Sequence, residues 1–263
     1  ESEAASVLHW WVQAPEPAHC SARRSIALAG PLQDELPARL ADITADADRT
    51  VGHRYELVVS FILSDKLLPG ALEWTRVAFD DDGLPGDPMP LNQRYPVTLH
   101  WQRRARASGE GGSRPVNVWR QALDTLTPRI ARDFGANVVW LDSGAADPLR
   151  AAQELLLDQQ GEGICISLGA QADAAPDRPA QAIIECLRQG VPCFFWLAVP
   201  PAPGTDPRQA LCELFALQKA SDAPAAIGRR RMAAKPGDAL QSLRMVWDEP
   251  GHLPPPLQLE SPP

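Results

Sequence analysis

The chain has 263 residues, 44% of them apolar and 22% charged, a composition that fits one large globular domain or two small ones. Its length is enough to bury a core without covalent staples, no apolar run approaches the ~18 residues of a membrane span, and 27 dispersed prolines without a Gly-X-Y period exclude a collagen. Twenty-five basic against 33 acidic residues give a net charge of −8, which speaks against direct nucleic-acid binding, because phosphate needs neutralising Lys and Arg.

No hydrophobic leader opens the chain, and the first residue is Glu1 rather than Met, so the expectation is a piece of a longer protein. The five cysteines are too few and too scattered for a disulfide scaffold. Cys165, Cys186, Cys193 and Cys212 lie in apolar stretches, where a thiol behaves as a small core residue, and the pattern points to a reducing cytoplasm.

In chain order, residues 8–13 and 25–29 read as strands, the second closed by Gly30-Pro31. Leu36, Leu40, Ile43 and Ala47 are spaced as one face of a helix. Residues 54–63 are β-branched and aromatic and read as a central strand; 65–68 read as one helical turn and 72–79 as another strand. The Asp80-Asp81-Asp82-Gly83 stretch up to Pro88 is a loop by its turn residues. Residues 95–103 read as a strand with a basic end, and the Gly- and Ser-rich stretch 107–114 as a linker or surface loop.

Beyond it the pattern alternates. Val116, Trp119, Leu123 and Leu126 share a helical face that Pro128 interrupts. Short apolar strands are expected at 137–141, 163–168 and 192–199, and helices at 149–157, 180–189 and 206–218. Asp147-Pro148 and Asp206-Pro207 supply N-cap and first-turn residues, and Gly190 supplies a stop. A basic stretch at 229–231, a strand at 243–247 and a Pro-rich tail follow. The fold class is α/β: a strand-rich half over 1–110, then a Rossmann-like three-layer half with a parallel sheet over 115–263, the two forming separate domains or one continuous domain.

Several chemistries are missing from the sequence. There is no phosphate-binding P-loop, no dinucleotide fingerprint, no Cys-X-X-Cys and no His-Glu-X-X-His, so no cofactor is expected. The five histidines (His9, His19, His53, His100, His252) show no ligand spacing, so no metal site is expected. No histidine lies between residues 115 and 220, the nearest being His100 and His252, which speaks against a Cys–His dyad. Ala18-His19-Cys20 and Asp142-Ser143-Gly144 resemble the histidine and serine motifs of trypsin-like peptidases. That fold is all-β, whereas Ser143 follows a strand and precedes a helix, and Leu141 and Ala145 stand where oxyanion-hole glycines belong.

The loop after residue 141 is a candidate ligand loop, because open α/β sheets bind ligands beyond the carboxyl ends of their strands. Asp142, Ser143 and Asp147 would hold a cation or polarise a water there; as cap residues the same side chains would only close turns. Eight tryptophans form half of all aromatics, and most belong in a core. The residue types suited to a partner surface are Trp10 or Trp11, which face opposite ways in a strand, Trp74, and the arginines Arg103, Arg104, Arg229 and Arg230.

Certain stretches, taken in order, carry a family resemblance: Leu8-His9-Trp10-Trp11-Val12; Tyr55 to Leu68, with Phe61-Ile62-Leu63-Ser64-Asp65-Lys66-Leu67-Leu68 its most specific part, followed by Trp74; Arg94-Tyr95-Pro96-Val97-Thr98-Leu99 with Arg103-Arg104; Trp119; Gly190-Val191-Pro192-Cys193-Phe194-Phe195-Trp196; and Met245 to Pro254, with its Trp247-Asp248-Glu249-Pro250. Together they resemble the C-terminal domain of the vWA-MoxR-associated proteins (VMAP), over nearly the whole chain. The resemblance implies a non-enzymatic regulatory or scaffold domain of bacterial conflict, or antiviral defence, systems in the cytoplasm. Its implied partners are a MoxR-type AAA ATPase with a vWA protein, and an adjoining effector such as a peptidase; no membrane contact is implied. It transfers no catalytic residue. The alternatives are a hydrolase, or a small-molecule sensor without turnover, built on the loop from Asp142 to Asp147.

Overall fold

The structure is a computed structural model. It describes residues 7–14, 19–20, 24–51, 57–68, 70, 72–81, 84–107, 114–130, 132–141, 150, 154, 164–167, 177–197, 202–216, 223–235, 238 and 240–248. Two compact units emerge: residues 1–58 with 72–95, and residues 59–71 with 96–263.

The first unit is built of small antiparallel pairs and one long helix. Strands β1 (Val7–Trp10) and β4 (Arg24–Ala27) pair from Val7 opposite Ala27 to Trp10 opposite Arg24. The pairs β2 (Gln13–Ala14) with β3 (His19–Cys20), β6 (Arg76–Val77) with β9 (Met89–Pro90) and β7 (Asp80–Asp81) with β8 (Leu84–Pro85) are two residues each. Helix α1 (Leu32–Val51) extends the expected 36–47 helix at both ends. Asp34 and Glu35 in its first turn and Arg49 in its last complement the helix dipole. Leu36, Leu40 and Ala47 form its buried stripe, and the Thr44 hydroxyl donates to the Leu40 carbonyl at 2.8 Å instead of meeting solvent. The strand expected at 72–79 is instead a 3₁₀ turn, Leu72–Trp74, followed by β6. Helix α2 (Leu91–Arg94) closes the unit, with Phe79 edge-on to Tyr95 at 5.6 Å and Arg94 over the Phe79 ring at 5.3 Å.

The second unit is a six-stranded mixed sheet. Its strands are β5 (Val59–Leu63), β10 (Val97–Trp101), β11 (Val138–Leu141), β12 (Ile164–Ser167), β13 (Cys193–Leu197) and β14 (Leu243–Trp247), in the spatial order β11-β12-β13-β14-β10-β5. Strands β11, β12 and β13 run parallel to one another, as the alternating pattern predicts. Strands β5, β10 and β14 are also mutually parallel, but β14 meets β13 antiparallel, so the sheet as a whole is not the parallel sheet expected. It takes β5 and β10 from before residue 110 and the rest from after it. The stretch read as a central strand is β5, which lies at the sheet edge; its half-buried pattern fits an edge, whereas β10, β13 and β14 are buried along their whole length.

The last strand is therefore the one that closes the sheet. The chain lays down β5 and β10, moves to the far edge, and returns inward through β11, β12 and β13. Only then does β14 fill the gap. Its ladder with β13 has five residue pairs, Cys193 opposite Trp247 to Leu197 opposite Leu243, while its ladder with β10 has one, Leu99 with Val246.

Helices α4 (Arg114–Ile130), α6 (Pro207–Ala216) and α7 (Ala223–Met232) share a core with alternate residues of β13 and β14. Leu123, Leu126 and Ile130 meet Phe195, Leu197, Met245 and Trp247 in that core, each worth about 1.5–3 kcal/mol of burial. Phe134 stacks on Phe215 at 3.8 Å, and Phe195 meets Phe215 and Trp247 edge-on at 6.2 Å. Helix α4 continues through Pro128, where an interruption was expected. Helix α3 (Gln102–Ala107) begins directly after β10, so Gln102 and Arg103 are helical rather than extended. Helix α7, which the sequence reading missed, carries Arg229–Arg231; its Ala-Ala-Ile-Gly-Arg run has a weakly amphipathic pattern.

Two predicted helix signals are realised in atomic detail. Asp206 caps α6 by accepting from the Arg208 backbone N–H at 2.9 Å, with Pro207 as the first helical residue. Helix α5 (Asp177–Arg188) ends in a Schellman turn, in which Val191 N–H reaches the Cys186 carbonyl at 3.1 Å and Gly190 N–H the Leu187 carbonyl at 3.3 Å. Gly190 supplies the left-handed residue, φ 94°. The helix expected at 149–157 lies mostly outside the described residues; Arg150 and Glu154 are helical and paired at 2.8 Å.

At Gly228, helix α7 crosses the start of β10 so closely that a Cβ would lie 2.5 Å from Pro96 Cβ and 2.7 Å from Pro96 Cα. Gly228→Ala is expected to destabilise the chain by about 1–3 kcal/mol through overpacking, read as a lowered urea midpoint at unchanged slope.

Candidate functional site

Because β5, β10 and β14 are parallel, their carboxyl ends lie at one end of the sheet, where ligands of α/β proteins usually bind. The residues gathered there are Asp65 after β5, His100, Trp101, Arg103 and Arg104 at the end of β10, and Asp248 directly after β14.

The inner layer is a buried polar network. The Asp248 carboxylate is wholly buried and receives three donors: His100 Nδ1 at 3.3 Å and Trp101 backbone N–H at 3.2 Å on Oδ1, and Arg104 Nη1 at 3.1 Å on Oδ2. The Arg104 guanidinium, also buried, gives three further hydrogens to carbonyls: from Nη2 to Leu187 at 2.7 Å and Val191 at 2.6 Å, and from Nη1 to Pro192 at 3.4 Å. It thereby caps the carboxyl end of α5, where unpaired carbonyls and the negative end of the dipole favour a cation. The Trp101 and Trp119 rings flank it at 5.5 and 5.4 Å. Burial pushes the Arg104 pKa down, and the charge and hydrogen bond of the adjacent Asp248 push it back up.

From His100 the network runs outward along one face of the sheet. His100 Nε2 lies 3.4 Å from Thr98 Oγ1, and Thr98 Oγ1 lies 2.8 Å from Ser60 Oγ on the neighbouring strand. With the imidazole proton on Nδ1, facing Asp248, Nε2 accepts and the hydroxyls point inward. The order hydroxyl, imidazole, carboxylate is that of an acyl-transfer relay. Here, however, the hydroxyl beside the imidazole belongs to Thr98, which is 4% exposed, and the carboxylate is already committed to an arginine. In this arrangement the network braces strands.

Two more buried arginines hold β14, one of them to β10. Arg231 donates from Nη1 to the Leu243 carbonyl at 2.9 Å and from Nη2 to the Val97 carbonyl at 2.5 Å, so it ties β14 to β10 at their amino ends. Arg244 on β14 donates to the Gly70 carbonyl and lies over the Trp196 ring at 4.8 Å. The single-pair ladder between β10 and β14 is thus held at both ends by guanidinium groups.

The outer layer is a half-exposed ion-pair cluster. Asp65 accepts from Trp101 Nε1 at 2.8 Å, from Arg103 Nε at 3.1 Å and Nη2 at 2.5 Å, and from Arg188 Nη2 at 3.3 Å. Partial burial pushes the carboxyl up, but the Trp101 and Arg103 hydrogen bonds and the Arg103 and Arg188 charges outweigh it and hold Asp65 below the usual carboxylate range. Cys212 lies at the opposite extreme: burial, then the charges of Asp133, Asp206 and Glu213, push its thiol up, away from a nucleophilic thiolate.

The sequence-predicted residues fall in different places. Arg103 and Arg104 do come together at the strand ends, but only Arg103 is exposed; Arg104 is 4% exposed and spends its hydrogens inside the fold. Its neighbour in sequence points outward because successive helical residues are 100° apart. Arg229 and Arg230 are exposed on α7, Arg230 paired to Asp238 at 2.8 Å, beside the exposed Met232. Trp10, Trp11 and Trp74 are half-buried, in the first unit. Asp142, Ser143 and Asp147 lie outside the described residues, as does the His19 side chain, so the peptidase-like pair and the ligand loop fall there too. Sequence reasoning missed His100, Asp248, Asp65 and Arg231 as site residues. Among the described residues no group of three or more His, Cys, Asp or Glu is gathered as for a metal ion, and no helix is long and apolar enough to cross a membrane.

Fold and site together define an α/β domain with a mixed sheet, in which His100, Arg104 and Asp248, at the carboxyl ends of β10 and β14, are turned into the fold. The chain belongs to the vWA-MoxR associated protein C-terminal domain family, whose family model matches residues 4–250, nearly the whole chain. The Trp247-Asp248 pair that helped to carry the resemblance is the end of the closing strand and the centre of the buried network. No curated protein and no solved structure matches the chain.

Asp248→Asn removes the charge that Arg104 needs while keeping the shape. It is expected to cost about 3–5 kcal/mol, the usual effect of stranding a buried charge, measured by urea unfolding against wild type.

Proposed function

We propose that this chain is a non-catalytic regulatory and scaffold domain of a bacterial conflict system. It links an NTPase sensor, formed by a MoxR-type AAA ATPase and a vWA protein, to an effector such as a peptidase. The observation that carries the reading is the family membership, whose name associates the domain with vWA and MoxR proteins. At the carboxyl ends of β5, β10 and β14 the buried His100, Arg104 and Asp248 are consumed by contacts within the fold, and Arg103 and Arg188 face outward around Asp65, a charged surface of the kind that meets a partner.

In this reading the domain works in the cytoplasm and presents rigid surfaces. Arg229 and Arg230 extend from a helix whose opposite side is fixed by Arg231 and by the Gly228–Pro96 contact, beside the exposed Met232. Exposed arginine next to an apolar side chain on a rigid support is a common composition for a binding hot spot.

The test is a pull-down from native lysate, with and without ATP, read by mass spectrometry. Wild-type chain is expected to recover an AAA ATPase, a vWA protein or a peptidase, and the Arg229→Glu/Arg230→Glu variant to recover less than about a tenth as much. Specific recovery of none of these overturns the scaffold reading. Hydrolysis or small-molecule binding abolished by Asp142→Asn would replace it with the enzyme or sensor alternative.

A further inference from the structure

The second unit's sheet is held unevenly. Strand β14 is joined to β13 by five residue pairs, and β10 to β5 by five, Val97 with Val59 to Trp101 with Leu63. Between β10 and β14 there is one pair, Leu99 with Val246. Each backbone hydrogen bond adds a similar small increment, so this seam has by far the weakest ladder of the buried strands.

Side chains make up the difference, and differently at the two ends. At the amino ends, Arg231 bridges the Val97 and Leu243 carbonyls, and α7 lies across both strands with Gly228 against Pro96. At the carboxyl ends Arg188 of α5 reaches Asp65, after β5, at 3.3 Å in a half-exposed pair that is worth little, and the buried connection runs through Arg104. Arg104, carried by the helix that follows β10, holds Asp248, Leu187, Val191 and Pro192, all on the β13–β14 side. Asp248 in turn holds His100 and the Trp101 N–H on the β10 side. These bonds share two charged groups, so separation at this end breaks them together.

We propose that the β10–β14 seam is a latch: the sheet opens at its carboxyl end, where Arg104 and Asp248 fasten it, and hinges at its amino end, where Arg231 and α7 hold it. One block is β5, β10 and α3; the other is β11 to β14 with α5. The chain's three passages to the first unit, at 58–59, 71–72 and 95–96, all leave from the β5–β10 block, so opening displaces those attachment points relative to the other block. The latch deepens the regulatory reading by naming the element whose shape changes, and rests on that reading for its purpose. Its existence is tested without any partner, so a failed pull-down and a failed latch are separate results.

The experiment is native-state hydrogen exchange of the full 263-residue chain across low urea concentrations, resolved by NMR. Amides of β10 and β14 that face the seam are expected to exchange at least about tenfold faster than those of the β13–β14 and β10–β5 ladders. Their dependence on urea should be weaker than that of global unfolding, because opening exposes less surface. Arg104→Met is expected to speed the seam amides near Trp101 and Asp248 and to leave the other two ladders in their wild-type order, whereas Arg231→Met should speed the amides at Val97 and Leu243 first. If all sheet amides exchange with one common rate and the full urea dependence of global unfolding, there is no latch. The wild-type profile decides this even if Arg104→Met does not fold.

Discussion

The ion pair between Arg104 and Asp248 is the contact on which the second unit's organisation rests. Both groups are out of water, and an isolated charge there would be prohibitive. Each is stabilised only because the other is present and because carbonyls and donors from three further segments complete its hydrogen bonds. Such a pair adds little net stability over a well-packed apolar substitute; what it fixes is arrangement. Arg104 finds its partners only when β14 is in place beside β10, α5 has ended at its Schellman turn, and α3 has started one residue after β10. A last strand docked elsewhere would take Asp248 away from Arg104 and leave a buried charge without its partner.

Much of the local structure was legible because it is governed by local chemistry. Asp206-Pro207 and Gly190 mark helix ends through caps and left-handed backbone, and these act wherever the tertiary fold puts them. The short apolar strands between 137 and 199 were legible from length and flanks. The sheet order was not. Nothing near residues 243–247 states that the strand is central, and the β-rich run at 54–63 reads as interior although β5 is an edge. Pairing partners far apart in sequence are chosen by the global fit of faces, which one strand's composition does not encode.

The site was legible only in fragments, for a related reason. Arg103 and Arg104 stand out as basic residues after a strand, and both reach the strand ends. Residue type cannot say that one faces solvent and the other replaces water around a helix terminus and a carboxylate. Asp248 was visible as part of a short signature with Trp247, but its role depends on His100 and Arg104, about 145 residues earlier. Arg231 looked like one of three equivalent basic residues. Helical geometry turns it inward, while Arg229 and Arg230 remain exposed. Buried arginines set the frame, and the exposed ones on the same elements lie at the surface, Arg103 paired with Asp65 and Arg230 with Asp238.

The claim most exposed to test is that β14 with Asp248 completes the sheet. A chain ending at residue 242 lacks both, so its equilibrium unfolding in urea, followed by tryptophan fluorescence and near-ultraviolet circular dichroism, tests that claim directly. The second unit is expected to lose its cooperative transition and its fixed aromatic signals, because Phe195, Phe215 and Met245 share one core with the missing Trp247. A truncated chain that keeps a sharp transition, with a slope close to that of the full chain, would show that the sheet stands without its closing strand and would contradict the role assigned to the Arg104–Asp248 pair.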